Sequence, residues 1–301
     1  MQKNKFRNCL QILPVLFFMA FVSASCIKDD LSGCPSPHVS GVTLQVKAFD
    51  ADGNPLDGGT IKDITLYVFN ADKTLLDILH VSLSELVTLD YPGHDNLKLV
   101  AWGNGRQGGQ TLPALRQGDH LETAFVSLIQ PQTRITYPVA GSPDDLFYGT
   151  IDIQTSADAL SARELPLRRK VSGVAVTARR LKEYVGSSDG DFHYILRKTG
   201  SMLDFYGLPN GTDVSYRPEA SFNDRGDFVS STFNILPTDE ELRIDIYHRG
   251  VLRTTIISDS NGKPLRVAEG RLLNVLVDFD GAINVEIKVT DWGKEEIWKE
   301  F

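Results

Sequence analysis

The sequence predicts an all-β protein: two β-sandwich domains in tandem behind an N-terminal export signal. Three observations predict it. Apolar residues alternate with period two along short segments that recur at intervals of roughly ten residues. Turn formers separate these segments, as in Asp50-Ala51-Asp52-Gly53-Asn54-Pro55. Candidate helices are few and short, Ser82–Val87 and Ala178–Tyr184, and support no βαβ series. With 301 residues, 42% of them apolar, the chain can bury a substantial core in about two domains.

Residues 1–25 read as the signal. Lys3, Lys5 and Arg7 make a positive start, and Ile12–Val22 is an apolar run too short to cross a bilayer. The small residues Ser23, Ala24 and Ser25 precede Cys26, which resembles a bacterial lipobox. In that reading the signal is cut before Cys26, and the thiol and the new amino group carry acyl chains; more than one chain is needed for stable attachment to lipid. Lys28, Asp29 and Asp30 look like the export tag that sends lipoproteins of the Bacteroides and Flavobacterium lineages to the outer face of the outer membrane. Residues 26–39 form the lipidated tether.

Removing residues 1–25 takes away three positive charges and no negative ones, leaving 276 residues with 28 basic and 39 acidic groups. An acidic body of this kind lacks the positive footprint of a nucleic-acid binder. Of the three cysteines, Cys9 lies in the signal and Cys26 takes the lipid, so Cys34 is left without an internal disulfide partner and reads as a packing residue.

The body divides into residues 40–155 and 156–301, at a polar seam near Thr155–Glu164. In the first domain, Val42, Leu44, Val46 and Ala48 form one apolar face against Thr43, Gln45 and Lys47. Ile64, Leu66 and Val68 form another, with Tyr67 and Phe69 opposite. Leu97, Leu99 and Ala101 lead into Trp102-Gly103-Asn104-Gly105. Arg134–Val139 and Leu146–Ile153 are weaker strands. In the second domain, Val171–Thr177, Leu242–Tyr247, Arg271–Phe279 and Val285–Val289 alternate in the same way, before Asp291-Trp292-Gly293.

No pattern points to catalysis, a metal or a cofactor. The histidines, His38, His80, His94, His120, His193 and His248, are scattered and read as surface or packing residues. Asp50, Asp52 and Asn54 offer oxygen ligands at alternate positions, but Gly53 and Ile61 fall where a calcium loop needs other residues, so a tight turn is the better reading. Gly103, Gly105, Gly108 and Gly109 lack the Lys-Ser/Thr of a phosphate cradle and read as a mobile surface loop. Asn210-Gly211-Thr212 is a chance glycosylation triplet. Arg163, Arg168, Arg169, Lys170, Arg179, Arg180 and Lys182 make a local basic patch: a solvated edge, a contact with an acidic partner or with the acidic first domain, or a contact with lipid headgroups.

The segment Cys26-Ile27-Lys28-Asp29-Asp30-Leu31-Ser32-Gly33-Cys34-Pro35 closely resembles the start of the mature anchor subunits of Bacteroides and Porphyromonas fimbriae, the minor and major fimbrium anchoring lipoproteins. Leu66-Tyr67-Val68-Phe69, Leu99-Val100-Ala101-Trp102-Gly103-Asn104 and Val289-Thr290-Asp291-Trp292 extend the likeness along the mature chain. The resemblance implies two transthyretin-like sandwiches, a lipid anchor in the outer membrane, and a partner in the fimbrial shaft. The lack of any catalytic motif makes an enzyme the least expected class.

In shaft subunits of this class, the resemblance implies, a protease cutting after Arg removes the first strand, and a strand from another subunit fills the groove. Here no Arg lies between Cys26 and Arg106, so such a cut cannot free Val42–Phe49 from Cys26; only Lys28 and Lys47 are open to a Lys-specific protease before Lys62. That favours an anchor which keeps its first strand and ends the polymer. Val285–Val289 through Trp298 is the expected contact with the shaft. The alternatives are a shaft or tip fimbrillin, which would lose its first strand, and a surface glycan-binding lipoprotein, which would expose aromatic platforms such as Tyr91, Trp102, Tyr148 or Tyr206.

Overall fold

Val42, Leu44, Val46 and Ala48 share one face of strand β1 (Val42–Phe49) and are all buried, while the residues between them are half-exposed. The alternation read from the sequence is the pleat of this strand. The computed structural model describes residues 41–129, 139–155 and 162–294, and these form one compact unit. Strand β1 ends where Asp50 turns the chain: its Oδ1 accepts the N–H groups of Asp52 and Asn54, and Gly53 takes a φ of 88°.

The chain continues through β2 (Ile64–Asn70), β3 (Leu75–Val81), β4 (Leu86–Leu89), β5 (Asn96–Gly103), β6 (Gln110–Thr111), β7 (Phe125–Leu128), β8 (Val139–Ala140), β9 (Phe147–Gln154) and β10 (Arg163–Arg169). Seven of these make the first sheet, in the order β3-β2-β5-β9-β10-β1-β4. The sheet creases between β9 and β10, which pair only at Arg168↔Tyr148 and Arg169↔Phe147. On either side of the crease β10-β1-β4 packs over β3-β2-β5-β9. Leu44, Val46, Leu165 and Leu167 of one layer share a core with Leu66, Val68, Leu99 and Ala101 of the other. The first sandwich is therefore one sheet folded onto itself.

The second sandwich follows: β11 (Ser172–Arg179), helix α1 (Leu181–Val185), β12 (Phe192–Asp204), β13 (Pro209–Tyr216), β14 (Ala220–Phe222), β15 (Phe228–Ser230), β16 (Phe233–Ile235), β17 (Arg243–His248), β18 (Val251–Ile256), β19 (Arg271–Asp280) and β20 (Ala282–Asp291). One sheet runs β14-β15-β11-β19-β20, with β16 also on β11; the other runs β18-β17-β12-β13-β8, with β7 on β12 and β6 on β7. Val174, Val176, Val275 and Val277 of one share a core with Tyr194, Leu196, Ile244 and Ile246 of the other.

Three expectations from the sequence change here. The seam at 155/156 is not where the sheets divide. After it, β10 returns to the first sheet and completes its core with Leu165 and Leu167, while β7 and β8, from before it, pair with β12 and β13. The chain passes from one sandwich to the other at Lys170-Val171. Ser82–Val87 is not a helix: Ser84 has a φ of 65° and donates its N–H to the Val46 carbonyl at 2.8 Å, which ties the turn to β1 and leads into β4. In Ala178–Tyr184, Ala178 and Arg179 belong to β11, and the helix begins at Leu181. Of Arg134–Val139, only Val139 lies within the described residues.

Candidate functional site

Cys26, Lys28, Asp29, Asp30 and Cys34 lie outside the described residues, as do His38, Ile297 and Trp298. The described chain begins just before β1, the strand on which the sequence reading of the anchor turns. Strand β1 is not an edge. On one side it pairs in parallel with β10 through six register pairs, from Leu44↔Arg163 to Phe49↔Arg168. On the other it pairs antiparallel with β4 from Val42↔Leu89 to Gln45↔Leu86. Lys47 bridges to Glu164 across the parallel pair at 2.5 Å. Val42, Leu44 and Val46 are fully buried, worth about 2 kcal/mol each in transfer free energy. The slot that a removed first strand would open is filled.

The two sandwiches meet at a junction built from both. Arg169, at the end of β10, is 5% exposed in its side chain and binds Asp145 with Nε and Nη2, at 2.5 and 2.9 Å. The same guanidinium lies 4.8 Å from the Phe147 ring centre and 4.2 Å from that of Trp292. Arg271, at the start of β19, pairs with Asp52 in the turn after β1 and with Asp291 at the end of β20. Lys170 pairs with Glu269 at 2.6 Å. Arg169 and Lys170 of the basic patch are thus engaged inside the fold, while Arg163, Arg168 and Arg180 stay exposed. Arg180 pairs with Asp278 and Asp280, and Arg169 meets Asp145 within the first sandwich, to which β10 belongs, so neither pair is the contact between domains that the sequence offered.

A second wedge closes the junction. Strand β12 is 13 residues long; its first half pairs with β17 and its end with β7. Phe205, just beyond it, inserts against the outer face of the first sheet, 4.8 Å from Tyr67, 6.2 Å from Phe69 and 6.1 Å from Trp102 between ring centres. Both faces of β2 are consequently buried, which accounts for its unbroken apolar run.

Strand β20 pairs with β19 along its whole length, from Arg271↔Asp291 to Asp280↔Ala282, and ends its sheet with its other edge unpaired among the described strands. Val285 is buried, while Ile283 and Val289 are exposed.

The other candidates have local explanations. Asp50 caps its own turn, and the Asn54 side chain holds its carboxyl below the usual range. Asp52 is engaged by Arg271. The glycine segment is not a free surface loop. Asn104, 4% exposed with a φ of 57°, accepts the Lys62 N–H and donates to the carbonyls of Thr60 and Asp145. A side chain on Gly109 would meet the Ser142 carbonyl at 2.6 Å. Among the proposed aromatic platforms, Trp102 is buried and Tyr148 packs against it at 4.8 Å, so neither presents a face to a glycan. Tyr91 donates its hydroxyl to Asp77 at 3.0 Å, and Tyr206 is exposed beside Lys73. His248 is buried against Phe192 and the Asp189 carbonyl.

A family model described as fimbrillin-A associated anchor proteins Mfa1 and Mfa2 matches residues 31–298. The chain is 27% identical over 311 residues to the major fimbrium anchoring subunit FimB of Porphyromonas gingivalis strain W83, covering 95% of this chain and 96% of that one. A second FimB sequence from Porphyromonas gingivalis is 28% identical, covering 92% and 93%. Among solved structures, the fimbrial anchor protein Mfa2 from Porphyromonas gingivalis has the same fold, with a TM-score of 0.61 and 18% identity over 84% of this chain and 97% of that one. A candidate polysaccharide-binding protein from Bacteroides thetaiotaomicron gives 0.63, also at 18% identity, over 84% and 96%.

Proposed function

This chain belongs to the family of fimbrillin-A associated anchor proteins, and on that premise we propose that it holds the base of a fimbria to the outer membrane and ends the polymer there. Acyl chains on Cys26 fix the protein in the lipid, residues 26–39 are its tether, and Lys28, Asp29 and Asp30 direct it to the cell surface. The shaft subunit binds on the second sandwich, at the outer edge of β20, which no other described strand pairs and which Ser260 caps only at Val285, and at the residues that follow it.

The observation that carries this reading is the setting of β1. It fills a central position in its layer, and no Arg between Cys26 and Arg106 lets an Arg-specific protease cut it away. With its slot occupied, the first sandwich has no groove for a neighbour's strand, so addition stops on that side. The names of the curated relatives support the anchoring role.

The test is Cys26→Ala in the native host. Filaments shed into the medium, or of altered length, are the expected result. Filaments that stay attached at normal length overturn the reading.

A further inference from the structure

We propose that β1 is a mechanical clamp: tension between the lipid-attached N-terminus and the second sandwich runs along this strand and loads its hydrogen bonds in shear. The direction of the load rests on the anchoring reading; the geometry is the fold's own.

Three relationships carry the inference. The chain enters β1 at Val42, so a tether from Cys26 pulls at that end. The second sandwich meets the opposite end. Asp52, in the turn after β1, pairs with Arg271 at the start of β19, and a side chain on Gly270 would come within 3.3 Å of Ala51. Finally, β10 runs parallel to β1, and its last residue, Arg169, packs on Trp292 of the second sandwich before the chain passes into β11.

Force therefore enters at the N-terminal end of one strand and leaves at the C-terminal end of its parallel neighbour. The two pulls oppose each other along the strand axis, and every rung between Leu44↔Arg163 and Phe49↔Arg168 resists at once. An antiparallel β10 would place its C-terminal end beside Val42, and the rungs would then break in succession. The ladder with β4 adds resistance on the other edge, and the buried side chains of β1 must slide past the facing layer before the strand is free. Resistance to force is set by the unfolding barrier, not by equilibrium stability. Marginal stability is thus compatible with holding a fibre under drag.

The test is single-molecule pulling on the chain from Cys26 onward, without acyl chains. Cys34→Ser leaves the Cys26 thiol as the one native handle. The second handle is Glu286→Cys, exposed on β20, or Ala162→Cys, exposed at the N-terminal end of β10. The first geometry loads β1 against β10 in shear and the second unzips them. The expected result is a rupture force several-fold higher for the 26/286 pair than for the 26/162 pair at one loading rate, with equal urea midpoints for the two variants. Equal forces, or a lower force for 26/286, overturn the clamp. Neither membrane nor shaft enters this measurement, so its failure is distinct from that of the anchoring reading, which Cys26→Ala tests in cells.

Discussion

The guanidinium of Arg169 lies against Trp292, 4.2 Å from its ring centre, while gripping both carboxylate oxygens of Asp145. One side chain therefore joins the last strand of the first sandwich to the segment after the last strand of the second. Arg169→Ala leaves the largely buried Asp145 unpaired and removes the stacking, at an expected cost of about 3 kcal/mol. Arg169→Lys recovers little of this, because an ammonium offers neither the planar fork nor the stacking face. Urea denaturation of the three proteins measures both effects.

Leu44 is fully buried at the centre of the first core. Leu44→Ala is expected to destabilise by about 3–4 kcal/mol, through lost transfer energy and the cavity left behind. Substitution of the half-exposed neighbour, Thr43→Val, is expected to cost under about 0.5 kcal/mol. The pair of urea midpoints checks that β1 is stabilised through one face.

Gly149 lies in β9 at the crease, where any Cβ would overlap the Pro166 carbonyl of β10. Gly149→Ala must push two backbones apart, and a loss of about 1–3 kcal/mol is expected. Gly58→Ala, where nothing lies within 4 Å, is the matched control.

His193 is held below its ordinary value of 6.5, first by burial and then by the Arg217 charge, against the opposing pull of Asp191. A histidine depressed in the folded state binds its proton more readily when unfolded. Its contribution is complete above pH 6.5 and is lost as pH falls through that value toward the folded one. The urea midpoint is expected to drop between about pH 7.5 and about pH 5.5, and His193→Gln is expected to reduce that drop. An unchanged drop in the variant would remove His193 as its source.

An Arg-specific protease has its first site after Cys26 at Arg106, an exposed residue. Every fragment that carries Cys26 should therefore retain β1. Mass spectrometry of digests of the folded protein checks this, and placing an Arg ahead of Val42 should create the missing cleavage.

The strands legible in the sequence are those with clean alternation. Val42–Ala48, Ile64–Val68 and Leu97–Ala101 bury the faces the sequence assigns to them. Strand β12 has no such signal, because Lys198 takes a φ of 75° beside register shifts, and Thr199 and Ser201 occupy buried positions, which breaks the pattern midway. Strand β10 reads as a polar seam because Pro166 and the charged residues Arg163, Glu164, Arg168 and Arg169 surround Leu165 and Leu167. The glycine loop reads as free because nothing local announces that the Asn104 side chain will satisfy three backbone groups far away in the chain.

The sequence by itself determined the β class, the faces of the regular strands and the absence of Arg between Cys26 and β1, because these depend on residue type and local period. Only the tertiary structure decided that β10 returns to lie parallel to β1, that Phe205 covers the back of the first sheet, and that Arg169 meets Trp292. Those relationships join residues far apart in the chain. Strand pairing has no local signal for its partner, since any strand's backbone can pair with any other's, and the choice is made by which arrangement buries both faces together.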